Sequence, residues 1–161
     1  MPAGRAPDPV LAEAFYRRSL AKYEQAYRLP FGHYQGVNTA TLLLILGSLT
    51  PPPADSSPRP ELQESVALAG KLLANRLNWP SDQPDDATVW HQATAGEAHL
   101  LRREWAEAAD QYREALHGKN LTPHARGSML RQIERILMCF RKLAVVPAHP
   151  FDDPASLFDI A

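Results

Sequence analysis

Six histidines, eighteen acidic side chains and one cysteine are the groups in this 161-residue chain that could do chemistry, and their spacing narrows what that chemistry is. His91 and His99 flank Glu97, a set that would serve metal-dependent hydrolysis if both rings met one ion. Helix-borne zinc ligands pair across adjacent turns, as in His-Glu-x-x-His, and a separation of eight residues does not match that pattern. The sequence contains no Gly-x-Ser-x-Gly elbow, phosphate-binding loop or cysteine with a defined histidine partner, so nucleophilic and nucleotide chemistry have no support. The expectation is a non-enzyme without metal or cofactor, with a metal-dependent enzyme using His91 and His99 as the catalytic alternative.

Charge points to local rather than bulk interactions. The formal net charge is −1 and apolar residues make up 45%, which suggests neither general attraction to nucleic acid nor disorder. Arg126, Arg131, Arg135, Arg141 and Lys142 crowd one C-terminal segment against a single acid, Glu134. Arg131 and Arg135 stand one helical turn apart and could dock an acidic segment, although a solvated outer face is the simpler account of them, and no stacking aromatics are interleaved for nucleic acid. Beyond them, Asp152, Asp153 and Asp159 lie among Phe151, Leu157, Phe158 and Ile160, the form of an acidic and apolar linear motif. Such a motif docks elsewhere, folds back over its own domain, or is a plain chain end.

Compartment follows from what is missing. The N-terminal MPAGRAPDPV has no apolar core, and the longest apolar run, Leu42 to Leu46, is too short for a bilayer. A lone Cys139 among apolar neighbours allows no internal disulfide and reads as a buried, inert thiol. A cytoplasmic protein with no membrane and no nucleic-acid partner is expected.

The elements that must position these groups are helices. Asp8 and Pro9 form a start signal for a first helix running to about Leu29, with Ala12, Phe15, Leu20, Tyr23 and Tyr27 on its apolar side. A second helix, Gly32 to Leu46, is apolar nearly all round in its second half and is closed by Gly47 as a left-handed cap. Residues 48–60, SLTPPPADSSPRP, are a loop by composition. Glu61 to Leu77 forms a third helix, and Ala87 to Leu101 a fourth, capped by Asp86. In the fifth, Trp105, Ala108, Ala109, Tyr112 and Leu116 recur at helical spacing before Gly118. Thr122 and Pro123 open a sixth that runs to about Leu143. The organisation is therefore a short flexible segment at 1–8, a helical domain at 9–143 and a tail at 144–161.

A small residue followed four later by Tyr and three beyond by Ala occurs as Ser19, Tyr23, Ala26 and again as Ala108, Tyr112, Ala115. This spacing sets a small residue where helices cross closely and an aromatic one turn on. Residues 36–47, GVNTATLLLILG, also lie over residues 92–103, QATAGEAHLLRR, with Ala40 opposite Gly96 and Leu44 opposite Leu100, an offset of 56 residues. A tetratricopeptide repeat has a period of about 34, so roughly 22 residues of insertion would sit in the Pro-rich loops. Gly96, Trp105, Ala108, Tyr112 and Ala115 occupy the small and aromatic positions of that motif, whereas helix three has Lys71 where an aromatic is usual. An all-α, tetratricopeptide-like stack of six helices in antiparallel hairpins is predicted.

Read together, YQGVNTATLLLILG at 34–47 and ATVWHQATAGEAHLLRREWAEAADQYREAL at 87–116 resemble the helical regulatory region preceding the kinase domain of the apoptosis signal-regulating kinases. That region, often called TRAF-binding, is itself similar to segments of uncharacterised bacterial proteins, and the likeness covers roughly residues 14–143. The resemblance implies a scaffold that regulates and binds partners. This chain lacks the kinases' glycine-rich loop, His-Arg-Asp and Asp-Phe-Gly segments, so phosphoryl transfer is not implied. The same resemblance places Tyr34 and Trp90 at equivalent positions of a concave groove, with Asn38 and Glu97 nearby, where they would grip an extended peptide. The Ala, Pro and Arg usage suggests a bacterial signalling or defence assembly, with a protein or peptide as partner. A self-associating homodimer is the structural alternative, because a short helical stack leaves terminal faces to cover.

Overall fold

Local capping chemistry starts two of the helices where the sequence predicts. Asp8 Oδ1 accepts a hydrogen bond from the Val10 amide at 2.9 Å, fixing the first turn of α1, Pro9–Tyr27. Thr122 Oγ1 accepts from the Ala125 amide at 3.1 Å and opens α6, Pro123–Lys142, with Pro123 at the first helical position. Between them lie α2, His33–Leu49; α3, Pro60–Ala74; α4, Asp85–Leu101; and α5, Trp105–Leu116. The computed structural model describes residues 8–27, 32–79, 85–118 and 121–157, apart from the side chains of 26–27 and 85–88. The described residues form an all-α fold, with two short 3-10 turns at Arg76–Asn78 and Pro154–Leu157. No helix among them is long and apolar enough to cross a membrane.

Neighbouring helices pair along the chain, α1 with α2, α2 with α3 and α4 with α5, while α2 also lies beside α4. α6 packs against both α2 and α4 and so covers the face those two share. The core is contributed by Val37, Ala40, Leu44 and Ile45 of α2, Leu100 and Leu101 of α4, Tyr112 of α5, and Ile133, Ile136, Leu137 and Phe140 of α6. Cys139 is buried in this layer, and burial is the main influence raising its thiol pKa.

Two glycines serve close approach. A Cβ on Gly96 would sit 3.0 Å from Tyr112 Cδ2, so α4 and α5 approach closely where Gly96 meets the Tyr112 ring. Gly47 is not a left-handed cap: α2 runs on to Leu49, and a Cβ on Gly47 would collide with Leu62 of α3. No described glycine has positive φ, and α5 is capped by His117 rather than Gly118. Left-handed conformations after α4 and α6 fall instead on Arg103 (φ 61°) and Ala144 (φ 57°), with a third at Ser56 (φ 60°) in the loop before α3. The first two form Schellman-type closures, with Glu104 N donating to His99 O at 3.0 Å and Val145 N to Phe140 O at 2.9 Å.

The structure departs from the sequence expectations at three further places. Arg76 lies in the 3-10 turn after α3 rather than inside a helix reaching Leu77. Phe15 faces outward, 65% exposed, while Tyr16 packs on the core from α1. Residues 144–157, expected to be a tail, return across the domain: Phe151 and Leu157 are each 1% exposed. The Phe151 ring lies 6.0 Å from Trp105 and 6.3 Å from Tyr112, with Trp105 in edge contact with Phe140 at 5.8 Å. Residues 158–161, with Phe158, Asp159 and Ile160, lie outside the described residues.

Candidate functional site

Residues of α2, α4 and α6 border a cavity of about 360 Å³. Tyr34 and Asn38 line it from α2, Trp90, Thr94 and Glu97 from α4, and His124, Ser128 and Gln132 from α6. All four side chains expected in the groove, Tyr34, Asn38, Trp90 and Glu97, therefore border a single cavity. Tyr34 is 50% and Trp90 37% exposed, so two aromatic surfaces remain open to solvent at the mouth. Asn38 donates through Nδ2 to its own helix at Tyr34 O, 3.0 Å, which leaves its amide oxygen to meet a ligand.

The cavity floor is polar. Glu97, only 8% exposed, accepts at Oε1 from Thr41 Oγ1 at 2.5 Å and from Gln132 Nε2 at 2.8 Å. Its Oε2 has no hydrogen-bond partner among the described residues. Burial pushes the Glu97 carboxyl up from its ordinary value, opposed by the bonds from Thr41 and Gln132 and by the field of Arg135. Tyr112, fully buried beneath, is pushed well above its ordinary value by burial and by Glu97. Thr41 and Glu97 are 56 residues apart, the offset of the internal repeat, so this bond joins equivalent positions of the two segments. Gln132, His124 and Ser128 carry no signal as site residues in the sequence, because nothing local marks α6 as the helix that covers α2 and α4.

The helix-four histidines are engaged in separate clusters. His91 makes an edge contact with His33 at 4.8 Å, and His33 stacks on Trp79 at 4.7 Å. His33 Nδ1 is buried without a partner. Burial lowers both His33 and His91, the first further through His91 and the second through Arg76. His99 instead pairs with Glu104 at 2.6 Å, so the structure does not bring His91 and His99 to a common point.

Arg131 and Arg135 lie on the outer side of α6, bordering an open cavity of about 650 Å³ with Met138, Arg141 and Asp153. Their guanidiniums donate to Ser128 Oγ at 3.0 Å and Gln132 Oε1 at 3.2 Å, and Asp153 shares the cavity without an ion pair to either. The C-terminal segment is thus held by Phe151 and Leu157 rather than by charge. No protein-family model, curated protein or solved structure matches this chain.

Proposed function

We propose that this chain is a non-catalytic helical interaction module that receives a segment of a partner protein at the cavity between α2, α4 and α6. The observation that carries this reading is the convergence of Tyr34, Asn38, Trp90 and Glu97 on that cavity, with half-exposed aromatics over a buried polar floor. Exposed aromatics supply burial area on binding, and the Asn38 amide supplies direction. A preformed cavity lowers the ordering cost on the protein's side. The tetratricopeptide-like spacing and the resemblance to the kinase regulatory region support a regulatory role, in a bacterial signalling or defence assembly of the cytoplasm.

The test is capture of a partner from host lysate, followed by affinity measurement with the purified pair. A Tyr34→Ala, Asn38→Ala, Trp90→Ala variant, shown to be helical by circular dichroism, should lose at least tenfold in affinity. Unchanged affinity would remove the cavity from the binding reaction.

A second reading, self-association, is favoured by one feature. Val10, Leu11 and Phe15 on α1 are 73, 69 and 65% exposed and form an uncovered apolar strip. If it is an interface, sedimentation gives a dimer that Leu11→Glu and Phe15→Glu dissolve; a strict monomer at high concentration sinks that reading.

A further inference from the structure

The geometry points to a lysine side chain of the partner as the group that enters the cavity, its ammonium meeting Glu97 Oε2 between the rings of Trp90 and Tyr34. This deepens the proposed function and rests on that reading. A carboxylate that is 8% exposed, lines a cavity and takes both of its protein hydrogen bonds on one oxygen presents the other to whatever enters. No ion pair neutralises it among the described residues. A buried carboxylate held in no ion pair, with only the field of Arg135 acting on it, calls for a cation or a proton. Aromatic faces at the mouth favour the cation, which they attract through the ring quadrupole.

The number of free acceptor atoms selects among cations. A guanidinium is recognised best by both oxygens of a carboxylate in a fork, and here Oε1 is already occupied by Thr41 and Gln132. An ammonium is a point charge that one oxygen can satisfy, with its remaining hydrogens directed to neighbours such as the Asn38 amide oxygen and Ser128 Oγ. The volume, about 360 Å³, suits one long side chain and not a length of peptide, being near the lower end of the roughly 300–1,000 Å³ of ligand cavities. The helix N-termini at the mouth oppose a cation, but their partial charges fade within the first turn, whereas Glu97 lies in the fourth turn of α4 and carries a full charge when ionised.

Protonation competes with the ligand. Tyr34 from α2, Tyr112 from α5 and His124 from α6 line the cavity with Glu97, and Arg135 of α6 acts on it through its field. Lowering the pH protonates Glu97, and that change weakens the hold on an ammonium.

The experiment titrates the full isotope-labelled chain with Nα-acetyl-lysine N-methylamide and its arginine and norleucine counterparts, following amide and indole resonances. The lysine probe should shift Trp90, Glu97 and Gln132 saturably, bind at least tenfold more tightly than norleucine and several-fold more tightly than arginine, and weaken as pH falls. Glu97→Gln should weaken it at least tenfold. Should that variant not fold, Trp90→Leu at the half-exposed mouth should weaken lysine more than norleucine. Equal binding of norleucine, full binding by Glu97→Gln, or no shift at these residues would overturn the assignment. Partner capture that survives Glu97→Gln but fails with the Tyr34, Asn38 and Trp90 variant would overturn the lysine alone. Capture that survives both would overturn the proposed function as well.

Discussion

Replacing Phe151 by Ala tests whether the C-terminal segment is part of the domain or merely rests on it. The ring is 1% exposed and lies within 6.0 Å of Trp105 and 6.3 Å of Tyr112, centroid to centroid. Phe→Ala at such a site costs about 3–5 kcal/mol through lost transfer energy and the cavity left behind. That is a large share of the roughly 5–15 kcal/mol by which a domain is stable. At about 2–4 °C per kcal/mol for a chain of this size, the midpoint of thermal unfolding should fall by about 6–20 °C. Urea unfolding followed by far-ultraviolet circular dichroism gives the free energy directly. Phe151→Leu, which keeps most of the volume, should cost about 1–1.5 kcal/mol. Val146→Ala, at a site 87% exposed, should stay within about 0.5 kcal/mol. A loss below about 1 kcal/mol for Phe151→Ala, with an unchanged denaturant slope, would refute the reasoning, because a segment that detaches separately does not draw the helices with it.

Ala144→Gly should stabilise the fold by about 0.5–1 kcal/mol, since Ala144 holds a left-handed φ of 57° on the surface; equal or lower stability in urea would contradict that. Gly96→Ala gains about 1 kcal/mol of helix propensity but meets Tyr112 at 3.0 Å, where overpacking costs about 1–3 kcal/mol, so denaturation should show a net loss of up to about 2 kcal/mol. Glu97 is raised on folding, so its favourable contribution is complete below its ordinary 4.5 and is lost as pH rises through the folded value; Glu97→Gln should flatten that decline in urea midpoints. His33 and His91 are lowered, so theirs is complete above 6.5 and is lost on acidification, and His91→Gln should reduce the acid loss.

What could be read from the sequence was whatever depends on near neighbours. The Asp8 and Thr122 caps and the apolar stripe of α5 follow from spacing alone. The four groove residues, which the resemblance implies, border one cavity, and the 56-residue offset recurs in the bond from Thr41 to Glu97. Gly47 was misread because its reason is Leu62, on another helix, and a helix-ending glycine and a helix-crossing glycine look alike in one dimension. Phe151 and Leu157 sit in a stretch without periodicity, so nothing local distinguishes buried anchors from a loose end. The stack of His33, Trp79 and His91 draws on three separate elements, and only tertiary structure brings them together.

The central claim is that a partner enters between α2, α4 and α6, and photo-crosslinking locates a partner most directly. A benzophenone amino acid would replace Tyr34 at the cavity mouth, Met138 on the basic outer face or the fully exposed Leu77, with crosslinking in host cells. The account predicts one discrete adduct from position 34 that is absent at 77 and 138 and is reduced by Trp90→Ala. An adduct arising only from position 138, or equally from all three, would contradict it.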